Sequence, residues 1–332
     1  MAKVAVIGAT TWGTTLGWLL AGKGIDVSVW ARSEAKAVEC RRQHQDRLLQ
    51  ADLGRHLTFT SNEAEALGSA DFAICAVPAQ NMRQTVRKVG ECLKPTTVVV
   101  SVAKGLEAET GKRMSEVIAE EIVVPLARGV SVLSGPNLSK EIDQGLPATS
   151  VVAAEDIEVA KMVQKLLESP HFYLFVSDDL VGVELCGALK NVIAIGAGIL
   201  DGLDLGNNAK AAFITMGWNE VVSLGKAMGA REDTFYGLAG FGDLIATGNS
   251  PLSRNHYVGY ELGKGRPLGE ILASMTNVAE GIDTTVAAYR LSRRLRLEFP
   301  TIDLVYRVLF ESLSPAEIST RLRNGFRPEA VT

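Results

Sequence analysis

Residues 4–13 read Val-Ala-Val-Ile-Gly-Ala-Thr-Thr-Trp-Gly, and a helical stretch runs on from there to Ala21. Val4 to Ile7 is apolar throughout and rich in β-branched residues, the pattern of a short strand buried on both faces. A strand, a glycine-bounded turn and a helix in that order open a dinucleotide-binding unit. Its first glycine makes the tight turn, its second lets backbone approach a pyrophosphate, and its third lets the helix pack on the strand. Here Thr10 takes the middle place, so the pattern becomes G-x-x-x-x-G, with Gly8 and Gly13 at its ends. The amides at the helix start still favour an anion. A plain strand-to-helix bend uses the same residues, and the motif by itself leaves both readings open.

The alternation continues outward from this turn. Apolar, β-branched runs fall at Val27 to Trp30, Phe72 to Ala76, Thr97 to Val102, Val130 to Leu133, Ser150 to Ala153 and Phe172 to Val176, with helical patterns between them. This βαβ rhythm predicts a Rossmann-like, doubly wound, mostly parallel sheet with helices on both faces. After Ser177 the texture changes: Asp178 and Asp179 are placed to cap a long apolar helix from Leu180 towards Leu200. Further helices are expected over Ala209 to Met228, Ser253 to Gly263, Leu268 to Ser274, Thr284 to Leu295 and Pro300 to Glu311, which makes the second half all-α. The expected division is a dinucleotide-binding domain over 1–177 and an all-helical substrate and catalytic domain over 178–332.

A chain of 332 residues exceeds the roughly 250–300 at which single cores stop growing, in keeping with that division. The net charge of −4 gives no global positive field for a nucleic-acid backbone or an anionic membrane, so an anionic ligand needs a local cationic pocket. The four cysteines, Cys40, Cys75, Cys92 and Cys186, form no C-x-x-C pair and have no histidine at ligand spacing; they read as reduced thiols, and no metal site is expected. No apolar run is read as reaching the roughly 18 residues that span a bilayer, and Gly8, Thr10, Thr11 and Gly13 interrupt the N-terminus too early for a signal peptide. A cytoplasmic location without membrane insertion follows.

About twenty residues after the first turn, where an acid would bind the ribose of NAD, stand Ala31-Arg32-Ser33-Glu34. Arg32 with the Ser33 hydroxyl suits a 2′-phosphate, and Glu34 still suits an unphosphorylated ribose, so the cofactor is NADP or NAD. Later strand ends carry Ala76-Val77-Pro78-Ala79-Gln80 and Ser101-Val102-Ala103-Lys104-Gly105. Ligands of doubly wound sheets lie at such ends, which places Lys104 within reach of cofactor or substrate.

In the helical half the most unusual polar pair is Lys190-Asn191, set in a run apolar nearly all round. A lysine buried there has a lowered pKa, as a general acid and base near neutral pH requires; a lysine snorkelling at the bundle rim is the alternative. Gly237-Leu238-Ala239-Gly240-Phe241-Gly242-Asp243 allows close backbone approach to a ligand, or forms a turn whose Asp243 caps the next helix, with Thr247 four residues on. Ser253-Arg254-Asn255 makes either a phosphate clamp or an N-cap with a surface arginine. The four histidines form no recognisable pair or triad, and His256, although beside the clamp, reads as structural; Arg290, Arg293, Arg294 and Arg296 read as a charged helix face.

Taken together, G-A-T-T-W-G-T, A-V-P-A-Q, V-A-K-G, S-G-P-N-L-S-K-E, G-A-L-K-N, G-F-G-D-L-I-A-T, S-R-N and V-A-E-G stand in the order and approximate spacing found in NAD(P)-dependent glycerol-3-phosphate dehydrogenases. The chain resembles that family, its bacterial branch most closely, from residue 3 to about 315. The resemblance implies hydride transfer between NAD(P)H and dihydroxyacetone phosphate, supplying glycerol 3-phosphate for glycerophospholipid synthesis, in a homodimer. It implies that Lys190 exchanges the proton at the substrate C2 oxygen, that Lys104 touches substrate and cofactor, and that Asp243 helps to position Lys190 and the substrate. Gly135, Asn137, Asn191, Thr247, Ser253, Arg254 and Asn255 match substrate-binding positions. Gly8, Thr10, Thr11, Trp12, Gly13, Arg32, Ser33, Pro78, Ser139, Val278 and Glu280, with Lys104 and Arg254, match cofactor-binding positions. Thr10 stands where the family has its second glycine, Thr11 where serine is common and Ser139 where alanine is usual. Two other readings of the same features are a hydroxyacid or ketopantoate-type reductase, and an NADP-binding redox sensor without turnover. The retained Lys104, Lys190 and Asp243 argue against the sensor.

Overall fold

Val4 and Val6 point to one side of the first strand and Ala5 and Ile7 to the other, and each side meets its own apolar layer. Leu16 and Leu20 of the helix Thr11–Ala21 cover the first side; Met82 and Val86 of the helix Ala79–Val89 cover the second. Burial on both faces is why the strand has no polar alternation. The structure, a computed structural model, describes residues 2–48, 54–248, 250, 253–314 and 317–320. Within it β1 Lys3–Ile7, β2 Asp26–Trp30, β3 Leu57–Thr60, β4 Phe72–Cys75, β5 Val98–Ser101, β6 Val130–Ser134, β7 Ala148–Ala153 and β8 Phe172–Ser177 form one sheet. Its order is β3-β2-β1-β4-β5-β6-β7-β8.

All neighbours are parallel except β6 and β7. The short helix Ser139–Asp143 between those two is about 7 Å long, less than half the length of a five-residue strand, so the chain turns back beside β6 instead of crossing over. β3 is absent from the sequence expectation. It is a four-residue edge strand with Thr58 exposed, and its apolar content is too small to stand out beside the charged segment before it.

From Leu180 to Gly202 runs the central helix of the second half, with an uninterrupted buried stretch from Leu185 to Leu200. The sequence reading that nothing is apolar enough to cross a membrane needs correction. By length and a mean hydropathy of 1.6 this helix qualifies, yet 94% of the qualifying window lies inside the protein. Gly206–Ala227, Arg254–Gly263, Gly281–Leu295 and Pro300–Phe310 pack around it, beside the shorter Glu232–Tyr236, Asp243–Gly248 and Leu268–Ala273. Residues 249, 251–252, 315–316 and 321–332 of the expected second domain lie outside the described residues.

Two helices of this half approach to backbone contact. Gly198 and Gly202 on the central helix, and Gly259 and Gly263 on Arg254–Gly263, are each spaced one turn apart and interleave. A Cβ at Gly198 would sit 2.1 Å from the His256 carbonyl oxygen, and one at Gly259 would sit 1.9 Å from that of Ile195. Only glycine permits this approach, and it locks the segment that begins with Ser253-Arg254-Asn255 in fixed register with the helix that carries Lys190.

Candidate active site

The turn after β1 keeps both end glycines for steric reasons. Gly8 has φ +114°, and a Cβ at Gly13 would lie 2.3 Å from the Gly8 carbonyl oxygen. Thr10, the departure at the centre, has ordinary extended backbone (φ −88°, ψ 167°) and acts as N-cap of Thr11–Ala21. Its hydroxyl accepts from the Gly13 amide at 3.1 Å and donates to the Ala76 carbonyl at 2.8 Å. The side chain is therefore held by the strand end and the helix. The Thr11 and Trp12 amides, in the first helical turn, have no intrahelical acceptor and remain for an anion. Trp12 Nε1 is buried and unpartnered among the described residues, with its ring edge-on to Phe172. These features fit a dinucleotide pyrophosphate. Replacing Thr10 by Gly is expected to lower stability by about 1 kcal/mol, through the lost cap and hydrogen bond, and to leave the cofactor KM unchanged or lower. A marked rise in that KM would mean that the threonine makes its own contact with the nucleotide.

At the ends of β5 and β6 the cationic cluster assembles. The Lys104 ammonium donates to the Gly135 carbonyl (2.7 Å), to Asn137 Oδ1 (2.7 Å) and to Asp243 Oδ2 (2.9 Å). Asn137 is itself held, donating from Nδ2 to Ser150 Oγ at 3.1 Å. Lys190 donates to Asp243 Oδ1 at 2.6 Å and to the Thr247 hydroxyl, which in turn donates to Asp243. One carboxylate thus bridges two ammonium groups, and the side chains of Lys190 and Asp243 are only 5% and 3% exposed. Burial pulls the Lys190 ammonium down to about 8 and repulsion from Lys104 adds to this, while Asp243 opposes both. The snorkelling alternative is thereby set aside. Asp243 begins the helix Asp243–Gly248, and its carboxylate pairs with both lysines.

An ammonium carries three N–H groups. All three of Lys104 are taken up by protein acceptors, whereas among the described residues Lys190 has two acceptors and one N–H left over. Asn191, next along, spends its amide N–H groups on the backbone carbonyls of Lys104 (2.9 Å) and Gly187 (3.3 Å), which ties the central helix to the end of β5.

A second network adjoins the first. Ser253 caps the helix Arg254–Gly263 by accepting from the His256 amide, Arg254 Nη1 donates to the Val278 carbonyl at 2.7 Å, and Asn255 Oδ1 accepts from the Gly281 amide at 2.9 Å. The Glu280 carboxyl accepts from the Ala79 amide, just past Pro78 at the start of Ala79–Val89. Burial pushes it up to about 7. Gly281 joins the networks, as a Cβ there would meet both the Asn191 carbonyl and Asn255 Oδ1.

Arg32 and Ser33 follow β2, Arg32 exposed and Ser33 capping Glu34–Gln43. Glu34 pairs with Arg41 and accepts from Ser61. Ser139 begins the short helix after β6. Of the residues outside the expected site, His256 is turned to Asp201 at 2.7 Å, and the thiol of Cys75 is pushed by burial up to about 12 and is inert.

Sequence reasoning passed over Ser150, which orients Asn137, and Glu184, which is buried on the central helix. Glu184 carried the same signal that singled out Lys190, an ionisable residue in an all-apolar helix. Ser150 left none.

The model of the NAD-dependent glycerol-3-phosphate dehydrogenase N-terminus matches residues 3–160, and that of the C-terminus matches 179–320. A curated glycerol-3-phosphate dehydrogenase [NAD(P)+] from Dehalococcoides mccartyi is 49% identical over 326 residues, 97% of this chain and 90% of the relative. One from Thermobifida fusca is 44% identical over 320 residues, 96% of this chain and 95% of the relative. The crystal structure of glycerol-3-phosphate dehydrogenase from Coxiella burnetii superposes with a TM-score of 0.89 at 31% identity, covering 98% of this chain and 99% of that one. With matches over both halves and nearly full length, the chain belongs to the NAD(P)-dependent glycerol-3-phosphate dehydrogenases, a family of oxidoreductases.

Proposed function

We propose that this enzyme reduces dihydroxyacetone phosphate reversibly to glycerol 3-phosphate, with Lys190 as the group that gives and takes the proton at the C2 oxygen. The single observation that carries the assignment is the third N–H of the buried Lys190, uncommitted among the described residues, with the other two held by Asp243 and Thr247. When bound, the reduced nicotinamide supplies the hydride for the carbonyl carbon. Lys190 passes its proton to the oxygen and stabilises the charge that develops there. Asp243 holds Lys190 and Lys104 at fixed spacing, so the oxygen meets the Lys190 ammonium without waiting for that side chain to reorganise. Lys104 touches the substrate only by exchanging one of its three present acceptors. Arg254, with the N–H groups not used on Val278, and Asn255, through Nδ2, take the phosphate and fix the carbonyl for transfer. Gly135, Thr247 and Ser253 complete the substrate side. Gly8, Thr10, Thr11, Trp12, Gly13, Pro78, Ser139, Val278 and Glu280 form the cofactor side, and exposed Arg32 beside Ser33 supports a 2′-phosphate.

The same reading divides the chain into a dinucleotide-binding unit over 1–177 and a catalytic unit over 178–332. It places the enzyme in the cytoplasm as a homodimer without membrane insertion, feeding glycerophospholipid synthesis. The resemblance to the family supports these points. An absorbance assay with NADPH and NADH, each offered dihydroxyacetone phosphate, ketopantoate or no substrate, tests the function. Nucleotide oxidation with dihydroxyacetone phosphate alone is expected. Turnover with ketopantoate in its place would shift the assignment to a carboxylate reductase, and silence despite tight nucleotide binding would favour a sensor.

A further inference from the structure

Glu184 is a buried carboxylate that the chemistry above does not use. It lies on the central helix six residues before Lys190, and its side chain is 6% exposed. It accepts from the Ser115 amide at 2.8 Å, from the Ser115 hydroxyl at 2.5 Å and from Arg113 Nη1 at 2.7 Å. Arg113 and Ser115 stand at the start of the helix Met114–Glu121, which packs on the sheet. These bonds therefore cross from the helical half to the sheet half. Burial pushes the Glu184 carboxyl above its usual range, and Arg113 and Ser115 oppose that shift.

Glu184, Gly187 and Asn191 are spaced three and four residues apart, so they share one face of the helix. Gly187 lies against Ser134, so closely that a Cβ would come within 2.3 Å of its hydroxyl. Asn191 donates to the Lys104 carbonyl. This face, spanning about 10 Å of helix, docks the helical half on the sheet at three heights. Of the three contacts, that of Glu184 is the only charged one and has the most hydrogen bonds. The reacting groups depend on the docking, since Asp243 is held by Lys190 from the helix and by Lys104 from the sheet.

We propose that Glu184 is a positioning residue for catalysis, gripping Arg113 and Ser115 so that the central helix keeps Lys190 at the depth at which its proton reaches the substrate oxygen. The inference rests on Lys190 as proton donor. Glu184 touches neither substrate nor cofactor. On this face its loss leaves only Gly187, which offers van der Waals contact, and the Asn191 amide, and a displacement of about 1 Å at a reacting group can lower rate by about 100-fold.

The test compares Glu184→Gln, Glu184→Ala and Ser115→Ala with Lys190→Met. Each variant is measured for helical content, NADPH affinity by fluorescence titration, kcat, KM for dihydroxyacetone phosphate, and the kinetic isotope effect with C4-deuterated NADPH. Folded Glu184→Gln should keep NADPH affinity within about twofold while kcat falls about 10- to 100-fold, more than KM changes. Its isotope effect should rise as hydride transfer becomes rate-limiting. Ser115→Ala, which deletes the hydroxyl's bond to Glu184 and the one it accepts from Arg113 and is expected to fold normally, should move the same way by a smaller factor. Should Glu184→Ala fail to fold, the other two variants decide. Unchanged kcat and isotope effect per folded molecule in both Glu184→Gln and Ser115→Ala would overturn the proposal, leaving Glu184 a stabilising residue alone. A Lys190→Met enzyme with normal turnover would overturn the reading beneath it, whatever Glu184 does.

Discussion

Lys190→Met is expected to lower kcat by about 1,000-fold in either direction, within the range a positioned general acid contributes, while NAD(P)H affinity stays within about threefold. The cofactor turn lies on the other half of the molecule. Methionine matches the aliphatic stem of lysine and removes the charge, and Asp243 keeps its Lys104 partner through Oδ2, so no carboxylate is left buried without a cation. Steady-state kinetics alongside NADPH fluorescence titration separates the two effects. A variant retaining more than about a tenth of the turnover would transfer the role of proton donor elsewhere, Lys104 first.

The pH profile gives an independent check. The Lys190 ammonium is pulled down to about 8, and in its proposed role reduction needs the protonated form, so kcat should fall as pH rises through about 8. Oxidation of glycerol 3-phosphate needs the neutral amine, and its kcat should fall as pH drops below about 8. The two limbs should be mirror images, and both should be absent from the residual activity of Lys190→Met.

Gly259→Ala should be the most destabilising single-methyl change in the helical half. The new Cβ would lie 1.9 Å from the Ile195 carbonyl oxygen and 2.9 Å from the Ile199 amide nitrogen. Both are backbone atoms of a helix and cannot swing aside, so the helices must part. We expect a loss of about 3 kcal/mol or more, seen as a fall of about 6–12 °C in the Tm of the helical half by circular dichroism. Activity of the surviving folded enzyme should drop as well, because the separation moves Arg254 and Asn255 away from Lys190. Gly269→Ala is the control, since nothing lies within 4 Å of its added Cβ in the helix Leu268–Ala273. That change should be neutral or stabilising by up to about 1 kcal/mol. Equal effects at the two positions would mean that the close helix approach does not hold this half together.

Much of the architecture was legible because it is encoded in local patterns. Strands apolar on both faces announced a covered sheet, and the shift after Ser177 to long apolar helices announced the second half. β3 escaped because a run of four residues, two of them threonines, is too short to leave a pattern, and the antiparallel return at β7 followed from a connecting helix whose length local propensity does not settle. In the site, a lysine in an all-apolar helix was conspicuous. Its carboxylate partner was not, since Asp243 lies 53 positions from Lys190 and 139 from Lys104.

The sequence by itself determined where strand gives way to helix, which turn keeps its glycines, and which lysine lies in an apolar helix, because side-chain periodicity and backbone sterics act over a few residues. Tertiary structure alone decided that the Thr10 hydroxyl is held by Ala76 and Gly13, that Asp243 bridges two ammonium groups, and that Glu184 ties the central helix to the sheet. Those outcomes depend on which distant donors and acceptors are buried together. In a low-dielectric interior each must find a partner, and only the packed chain specifies which partner is within reach.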